Sequence, residues 1–330
     1  MRLQPVVFFS VLAAGCRGSD QRIFRQSQID TFWQEPTNEI DILWVVDDSQ
    51  SMADEQQKIA DRFDDFLLGI EEAGVDWHMG VISTDLDDLE SAALLQGEPR
   101  VLTADTPDFR ALFQDRVRVG IDGSDMEKGI DSAFQALSEP LISGPNDGFR
   151  RPGATLMINY FSDENDCSDR GALFGQLTDE PCYDRSDLLV PVVDLIQDYR
   201  QLVTQGERLF VSAIVGPNIS EGCDGAKPGN RYKTMADAFG GIQGNICQQD
   251  FDRIMADLGL QAGGVSTSFI LEHYAVESSI EVWVDDDPVV AGQENGWTYD
   301  GAYHVIHFHG DAVPPRGTKI RVEYDIAQNG

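Results

Sequence analysis

The amino-acid sequence predicts an α/β protein: a doubly wound, mostly parallel sheet flanked by helices, with a small antiparallel β unit at its C-terminal end. Three observations predict it. Short, almost uninterrupted apolar runs recur at Ile40–Val46, Thr155–Phe161 and Leu209–Val215, as expected of strands buried on both faces of a parallel sheet. Between them lie segments with apolar residues three and four apart, and parallel strands need such helical crossovers. From about residue 266 the apolar spacing changes to every second residue, the period of half-buried antiparallel strands.

The elements follow in order. Arg2 precedes an apolar stretch, Val6–Ala14, that ends in Gly15 and Cys16. A bilayer span needs ~20 residues, so a stretch this short with small residues behind it reads as an export signal over residues 1–15. Ala13-Ala14-Gly15-Cys16 resembles a bacterial lipobox, which implies lipidation at Cys16; plain secretion is the alternative. Residues 16–38 are polar and unpatterned, and are expected to tether the anchor to a domain spanning 39–265. In that domain Ile40–Val46 is the first strand. Ile59, Phe63, Phe66, Leu67 and Ile70 form one stripe of a helix over 52–72, which Gly74 ends. Val75–Ser83 is a second strand. Helices are expected over 107–118 and 124–138, a strand at Thr155–Phe161, a helix over 188–203, a strand at Leu209–Val215 and a short helix over 249–258. In the β unit, 266–330, the alternating sets are Ile280, Val282 and Val284; Ile306 and Phe308; and Ile320, Val322 and Tyr324, with Gly- and Pro-containing turns between them.

Composition narrows the function. Lys and Arg total 24 and Asp and Glu 57, a formal charge of −33. Such a surface repels a nucleic-acid backbone, and it repels an anionic membrane face unless a lipid anchor or a cation mediates. Apart from Cys16 there are four cysteines, Cys167, Cys182, Cys223 and Cys247. Three pairings are open. Locality favours Cys167–Cys182 and Cys223–Cys247, bridges suited to an exported protein. The competing zinc reading lacks a Cys-x-x-Cys and a neighbouring histidine.

The chemistry gathers where strands end. The first strand runs into Asp47-Asp48-Ser49-Gln50-Ser51, and open α/β sheets bind ligands beyond the carboxyl ends of their strands. Asp47, Ser49 and Ser51 alternate, so an extended loop projects one carboxylate and two hydroxyls to one side. These are hard oxygen donors of the kind Mg²⁺ takes. Ser51-x-x-Asp54 is also the start of a capping box for the following helix, and the motif alone does not choose between these readings.

The order of the other parts adds to it. Over residues 39–258 the chain resembles the von Willebrand factor type A family. Asp47, Ser49 and Ser51 match that family's first metal motif. Ser124, in Gly123-Ser124-Asp125-Met126-Glu127-Lys128-Gly129, stands where the family has a threonine, with Asp125 as the alternative. Asp163, in Phe161-Ser162-Asp163-Glu164, matches its third motif. The resemblance implies a metal-ion-dependent adhesion site: Mg²⁺ or Mn²⁺ held by Asp47, Ser49, Ser51, Ser124 and Asp163, with an open position for a carboxylate of a protein or peptide ligand. Such a cation inverts the field of an acidic rim.

Two further clusters carry two readings each. Asp85, Asp87 and Asp88 follow the second strand and offer oxygens to a Ca²⁺ ion, or form a solvated acidic loop. His307 and His309 share a strand face, as a zinc pair or as an exposed surface. There is no G-x-S-x-G, Walker loop or H-E-x-x-H. The expectation is therefore a non-enzymatic, exported envelope lipoprotein that binds protein or peptide through a metal. A metal-dependent hydrolase and a structural envelope protein with a residual metal motif are the alternatives.

Overall fold

The computed structural model describes residues 26–327 except 35–37, 89–90, 125, 177–179, 205, 219–225, 250 and 302–303. The first half of the chain contains β1 (Ser27–Trp33), β2 (Glu39–Val46), α1 (Ala53–Asp61), α2 (Phe63–Ala73), β3 (Asp76–Ser83), α3 (Phe109–Arg116), α4 (Gly129–Ala136) and β4 (Thr155–Ser162). Then come α5 (Pro181–Asp184), α6 (Val192–Tyr199), β5 (Leu209–Val215), α7 (Asn230–Phe239), β6 (Gln243–Asn245) and α8 (Phe251–Ala262). The last stretch holds β7 (Ser268–Ile270), β8 (Glu281–Val284), β9 (Asp287–Val289), β10 (Gly296–Asp300), β11 (Val305–His309) and β12 (Lys319–Asp325).

Strands β3-β2-β4-β5-β6 form one sheet in that order, and every neighbouring pair is parallel. Successive side chains of a strand point to opposite faces, and both faces of this sheet are covered. Ile40, Ile42, Trp44 and Val46 of β2 pack into a cluster with α1, α2, α3 and α8. Leu43 and Val45 pack on the other side with α4, α6 and α7. Trp44 anchors the first cluster, with the rings of Phe66 and Phe113 each centred 4.9 Å away and that of Phe161 5.3 Å away. Helices α2 and α8 touch backbone to backbone: a Cβ on Gly69 would lie 2.3 Å from the Gly259 carbonyl carbon. The near-continuous apolar composition of β2, β4 and β5 follows from this double cover.

Two antiparallel sheets, β1-β12-β8-β9 and β10-β11-β7, share a separate apolar core. Phe269, Trp297, Ile306 and Phe308 from one meet Val282, Ile320, Val322 and Tyr324 from the other. The antiparallel unit expected after residue 266 is present.

Strand β1 departs from expectation. It lies within the segment expected to be a tether, yet pairs along its whole length with β12, from Ser27↔Asp325 to Trp33↔Lys319. Its inward residues include Asp30, so alternation of polarity does not reveal it. Asp30 is buried because its carboxylate accepts from the Tyr324 hydroxyl at 2.8 Å and from the Glu272 amide at 2.7 Å. Two helices also differ from their expected spans. The 52–72 stripe is broken at Arg62, whose ψ of 14° leaves the helical region. The helix expected from 124 begins at Gly129, so Ser124 stands in a loop. Helix α7 and strand β6, with Tyr232, Met235 and Ala236 buried, fill a stretch to which the sequence assigned no element.

The signal segment and Cys16 lie outside the described residues. Among the described residues no helix is long and apolar enough to cross a membrane. Cys167 and Cys182 form a disulfide closing a separation of 15 residues. Cys247 is also disulfide-bonded, and Cys223 lies outside the described residues.

Candidate functional site

The chain enters the parallel sheet at β2, steps outward to β3, and returns across β2 to β4. The strand order therefore reverses between β2 and β4, where an open α/β sheet leaves a crevice at its carboxyl edge. Asp47 is the first residue after β2 and Asp163 the first after β4. The topology alone sets these two carboxylates on the two lips of the crevice.

Local hydrogen bonds then shape the Asp47 loop. The Asp47 amide donates to the Phe161 carbonyl at 3.0 Å, continuing the β2–β4 ladder by one residue. Its side chain is fully buried. Asp47 Oδ1 accepts from the Ser49 amide at 2.8 Å, and Oδ2 from the Ser162 hydroxyl at 2.6 Å. Gln56 Nε2 reaches back to the Asp47 carbonyl at 2.9 Å and to the Gly120 carbonyl at 2.7 Å. The carboxylate is held from both strand ends.

Ser49, Ser51 and Asp163 complete the cluster. Ser49 Oγ and Ser51 Oγ are 3.2 Å apart, and Ser51 Oγ donates to Asp163 Oδ1 at 3.2 Å. The capping reading of Ser51 is not realised: it sits inside a 3₁₀ turn, Gln50–Met52, and Met52, with no side-chain cap, precedes α1. Its hydroxyl is turned across the crevice instead.

Ser124 is placed elsewhere. Its Oγ donates to Asp87 Oδ2 at 3.0 Å and accepts from the Met126 amide at 3.2 Å. Asp87 also meets Lys128 Nζ at 3.2 Å, so the Ser124 hydroxyl is engaged by the loop after β3, while the Gly123 amide donates to the Asp48 carbonyl at 2.9 Å and ties the same segment to the Asp47 loop. Asp125, the alternative, lies outside the described residues. Asp47, Ser49, Ser51 and Asp163 are linked by these contacts, and the Ser124 hydroxyl bonds to Asp87 instead.

The position behind Asp47 is taken by residues that the sequence did not single out. Glu127, 1 % exposed, accepts a short hydrogen bond from the Thr84 hydroxyl, while its Oε1 has no hydrogen-bond partner. Gly123 lies against Asp48, where a Cβ would come within 2.3 Å of the carboxylate, and Asp48 Oδ1 is likewise buried without a partner. The local signal was available only in part: Gly123 and Glu127 flank Ser124, but their distance from Asp47 depends on the tertiary fold.

Burial sets the electrostatics, and neighbouring carboxylates add to it. Burial pushes Asp47 up to about 7, with the Asp163 charge adding and the Ser162 and Ser49 hydrogen bonds opposing. Burial, reinforced by Asp85, pushes Asp48 up to about 6. Glu127 is driven up to about 11 by burial and then by the Asp47 charge. Asp163 is raised by burial, which the Ser51 hydrogen bond offsets. A positive charge at the crevice would oppose all four shifts.

The remaining candidates resolve separately. Asp85 Oδ1 accepts from the amides of Asp87 and Asp88 at 2.6 and 3.3 Å, Asp87 pairs with Lys128, and Asp88 accepts from the Ser91 hydroxyl at 2.6 Å. These carboxylates serve an Asx-type turn and a salt bridge. Among the described residues no group of three or more Asp, Glu, His or Cys side chains is placed to hold a metal ion. The Asp47 cluster is of another kind, with two carboxylates and two hydroxyls. His307 and His309 lie on one face of β11, bonded to Ser268 and Thr298.

Beside Asp163 a cavity of about 500 Å³ is lined by Ser124, Met126, Glu164, Glu180, Tyr183 and Lys227, among others. Lys227 spans its wall, 3.0 Å from Glu180, 3.6 Å from Glu164 and 4.5 Å from the centre of the Tyr183 ring. Cys182 also lines it, so the disulfide to Cys167 pins this rim to the strand end that carries Asp163.

No protein-family profile matches the chain, and no curated protein does. Solved structures similar to it include the pilus adhesin SpaC from Lactobacillus rhamnosus GG in its open conformation, at 13% identity and a TM-score of 0.43, over 90% of this chain and 40% of that one. Proximal thread matrix protein 1 from the mussel byssus is 12% identical with a TM-score of 0.38, over 73% of this chain and 50% of that one. The pilus adhesin RrgA from Streptococcus pneumoniae is 8% identical with a TM-score of 0.34, over 92% of this chain and 58% of that one. The chain thus spans between 40% and 58% of the length of these structures.

Proposed function

We propose that the Asp47 crevice is a von Willebrand A-like metal site through which an exported protein binds a protein or peptide ligand. One observation carries the reading. Ser49 Oγ, Ser51 Oγ and Asp163 Oδ1 come from two loops 112 residues apart at successive separations of 3.2 Å. Adjacent oxygens around an octahedral cation with ligands at 2.0–2.1 Å are ~3 Å apart. The donor set, hydroxyls and carboxylates, is the hard-oxygen chemistry of Mg²⁺ and Mn²⁺.

The chain's own residues divide the work. Ser49, Ser51 and Asp163 present oxygens at the mouth, and Asp47 completes the set from below. Ser162 and the Ser49 amide fix the Asp47 carboxylate, and Glu127 and Asp48 stand behind it as buried carboxyl groups that a cation would favour in their charged form. A divalent cation held there supplies the positive charge that lets a carboxylate of a partner approach an otherwise acidic rim. Ser124, committed to Asp87, is not in this set. The lined cavity beside Asp163 offers room for side chains flanking the partner's carboxylate. Export with a lipid anchor at Cys16 is part of the same reading, and the Cys167–Cys182 disulfide supports the oxidising compartment.

Calorimetric titration of the full chain with Mg²⁺ and with Mn²⁺, beside Asp47→Ala, tests it. Saturable binding at one site in the wild type and none in the variant is the expected result. Equal titration of both, or none in either, removes the metal from the account.

A further inference from the structure

A second site lies at the opposite edge of the parallel sheet, where it meets the β unit. Register sets Ser268 of β7, His307 of β11 and Thr298 of β10 side by side. His309 follows two residues on and so shares their face. The other face of these strands carries the apolar core residues Phe269, Trp297, Ile306 and Phe308. The polar face looks across a cavity of about 400 Å³ to α8, which contributes Arg253 and Asp257, and to Gln243 and Gly244 of β6. Clefts between packed units are preferred ligand sites.

The two imidazoles are held in a defined way. His307 Nδ1 lies 2.8 Å from Ser268 Oγ, and His309 Nε2 lies 2.8 Å from Thr298 Oγ1. Burial holds both rings below the usual histidine range, the Arg253 charge adding to this for His309 and Asp300 opposing it for His307. Burial thus favours the neutral form of both rings. When each hydroxyl donates to its ring, each ring carries its proton on the other nitrogen, His307 Nε2 and His309 Nδ1. In those tautomers both lining imidazoles have an N–H to donate, and Arg253 adds a guanidinium to the lining. Asp257 is the one carboxylate among the described lining residues, with an oxygen 4.0 Å from Arg253 Nε and its own acidity weakened by burial. In a chain of charge −33, such a donor-rich pocket stands apart.

We propose that this cavity binds a small oxyanion, a carboxylate or a phosphate, between His307, His309 and Arg253. The site is independent of the Asp47 crevice, and either stands without the other.

The test is a titration of the full chain with inorganic phosphate and, separately, with acetate, following the histidine ring ¹⁵N resonances. Saturable movement of His307 and His309, with His78 and His273 unmoved, is expected with at least one anion; which anion saturates distinguishes phosphate from carboxylate. Arg253→Gln, an exposed position on α8, is expected to weaken binding by about tenfold or more, the loss of one charge-assisted contact. His309→Gln serves the same purpose. No saturable shift up to about 50 mM of either anion, a Kd too weak for a built site, overturns the assignment. So does an affinity unchanged in both variants, or shifts that sodium chloride reproduces.

Discussion

The Ser162 hydroxyl donates to Asp47 Oδ2 at 2.6 Å, joining the carboxyl ends of β4 and β2 across 115 positions of sequence. Ser162 is fully buried and makes no part of the crevice mouth, so it acts by orienting Asp47. Groups that orient a metal ligand typically contribute 10–100-fold to affinity. Ser162→Ala is expected to weaken Mg²⁺ binding by about that factor while Asp47 remains in place. Calorimetry on a variant shown by circular dichroism to be folded checks it, and an unchanged affinity contradicts the role.

The other end of β2 predicts a stability effect. Asp41, with no exposed surface, pairs with Arg150 Nη1 and Arg151 Nε, each at 2.8 Å, and accepts from the Arg151 amide at 2.7 Å. Asp41→Ala removes the buried carboxylate the two guanidinium groups share, leaving Arg150 with Glu207 and Arg151 with the exposed Asp76. Breaking a buried pair by removing one partner costs about 3–5 kcal/mol, and urea denaturation should show a loss of that order.

Helices α2 and α8 approach through glycine alone. A Cβ on Gly259 would stand 2.1 Å from the Phe66 carbonyl oxygen. The obstacle is backbone, so no rotamer change relieves it. Gly259→Ala is expected to destabilise by about 1–3 kcal/mol or more, read as a lowered denaturation midpoint, whereas Gly74→Ala meets nothing within 4 Å and suffers only the strain of a φ of +63°.

Acid–base linkage gives a further expectation. Asp131 is buried, and burial, reinforced by the Asp166 charge, pushes it up to about 6. The native state therefore keeps a proton that the unfolded chain releases near pH 4. The stabilisation from this group is complete below about pH 4 and is lost as pH rises through about 6. Relative to Asp131→Asn, the wild type should lose stability between about pH 4 and 6 and run parallel above. Denaturation midpoints of both proteins across that range check it; a constant difference contradicts the assignment.

Much of this architecture is legible in the residues. Strands β2, β4 and β5 are apolar on both faces because helices cover both, and a run of that kind has few other homes. Asp47 and Asp163 are legible as candidates for the proposed site because they end two such strands. Strand β1 is hidden: its inward Asp30 is buried only because Tyr324, 294 positions away, satisfies it. The break at Arg62 is hidden as well, since the stripe from Ile59 to Ile70 continues across it. Ser124 shows the limit of matching by position. A hydroxyl before a helix fits the pattern, but in the fold it bonds to Asp87 of the loop after β3. Ser162, Thr84 and Glu127 are ordinary residues in sequence and acquire their roles only when β2, β3 and β4 lie side by side.

In the proposed site the hydroxyls of Ser49 and Ser51 and the carboxylates of Asp47 and Asp163 share one divalent cation. Anomalous diffraction from crystals of the full chain soaked in Mn²⁺ tests this most directly. The account predicts a single strong peak between the Ser51 hydroxyl and the Asp163 carboxylate, within bonding distance of both loops. A saturating soak that yields no peak there, or one only at the Asp85 loop or beside His307 and His309, contradicts it.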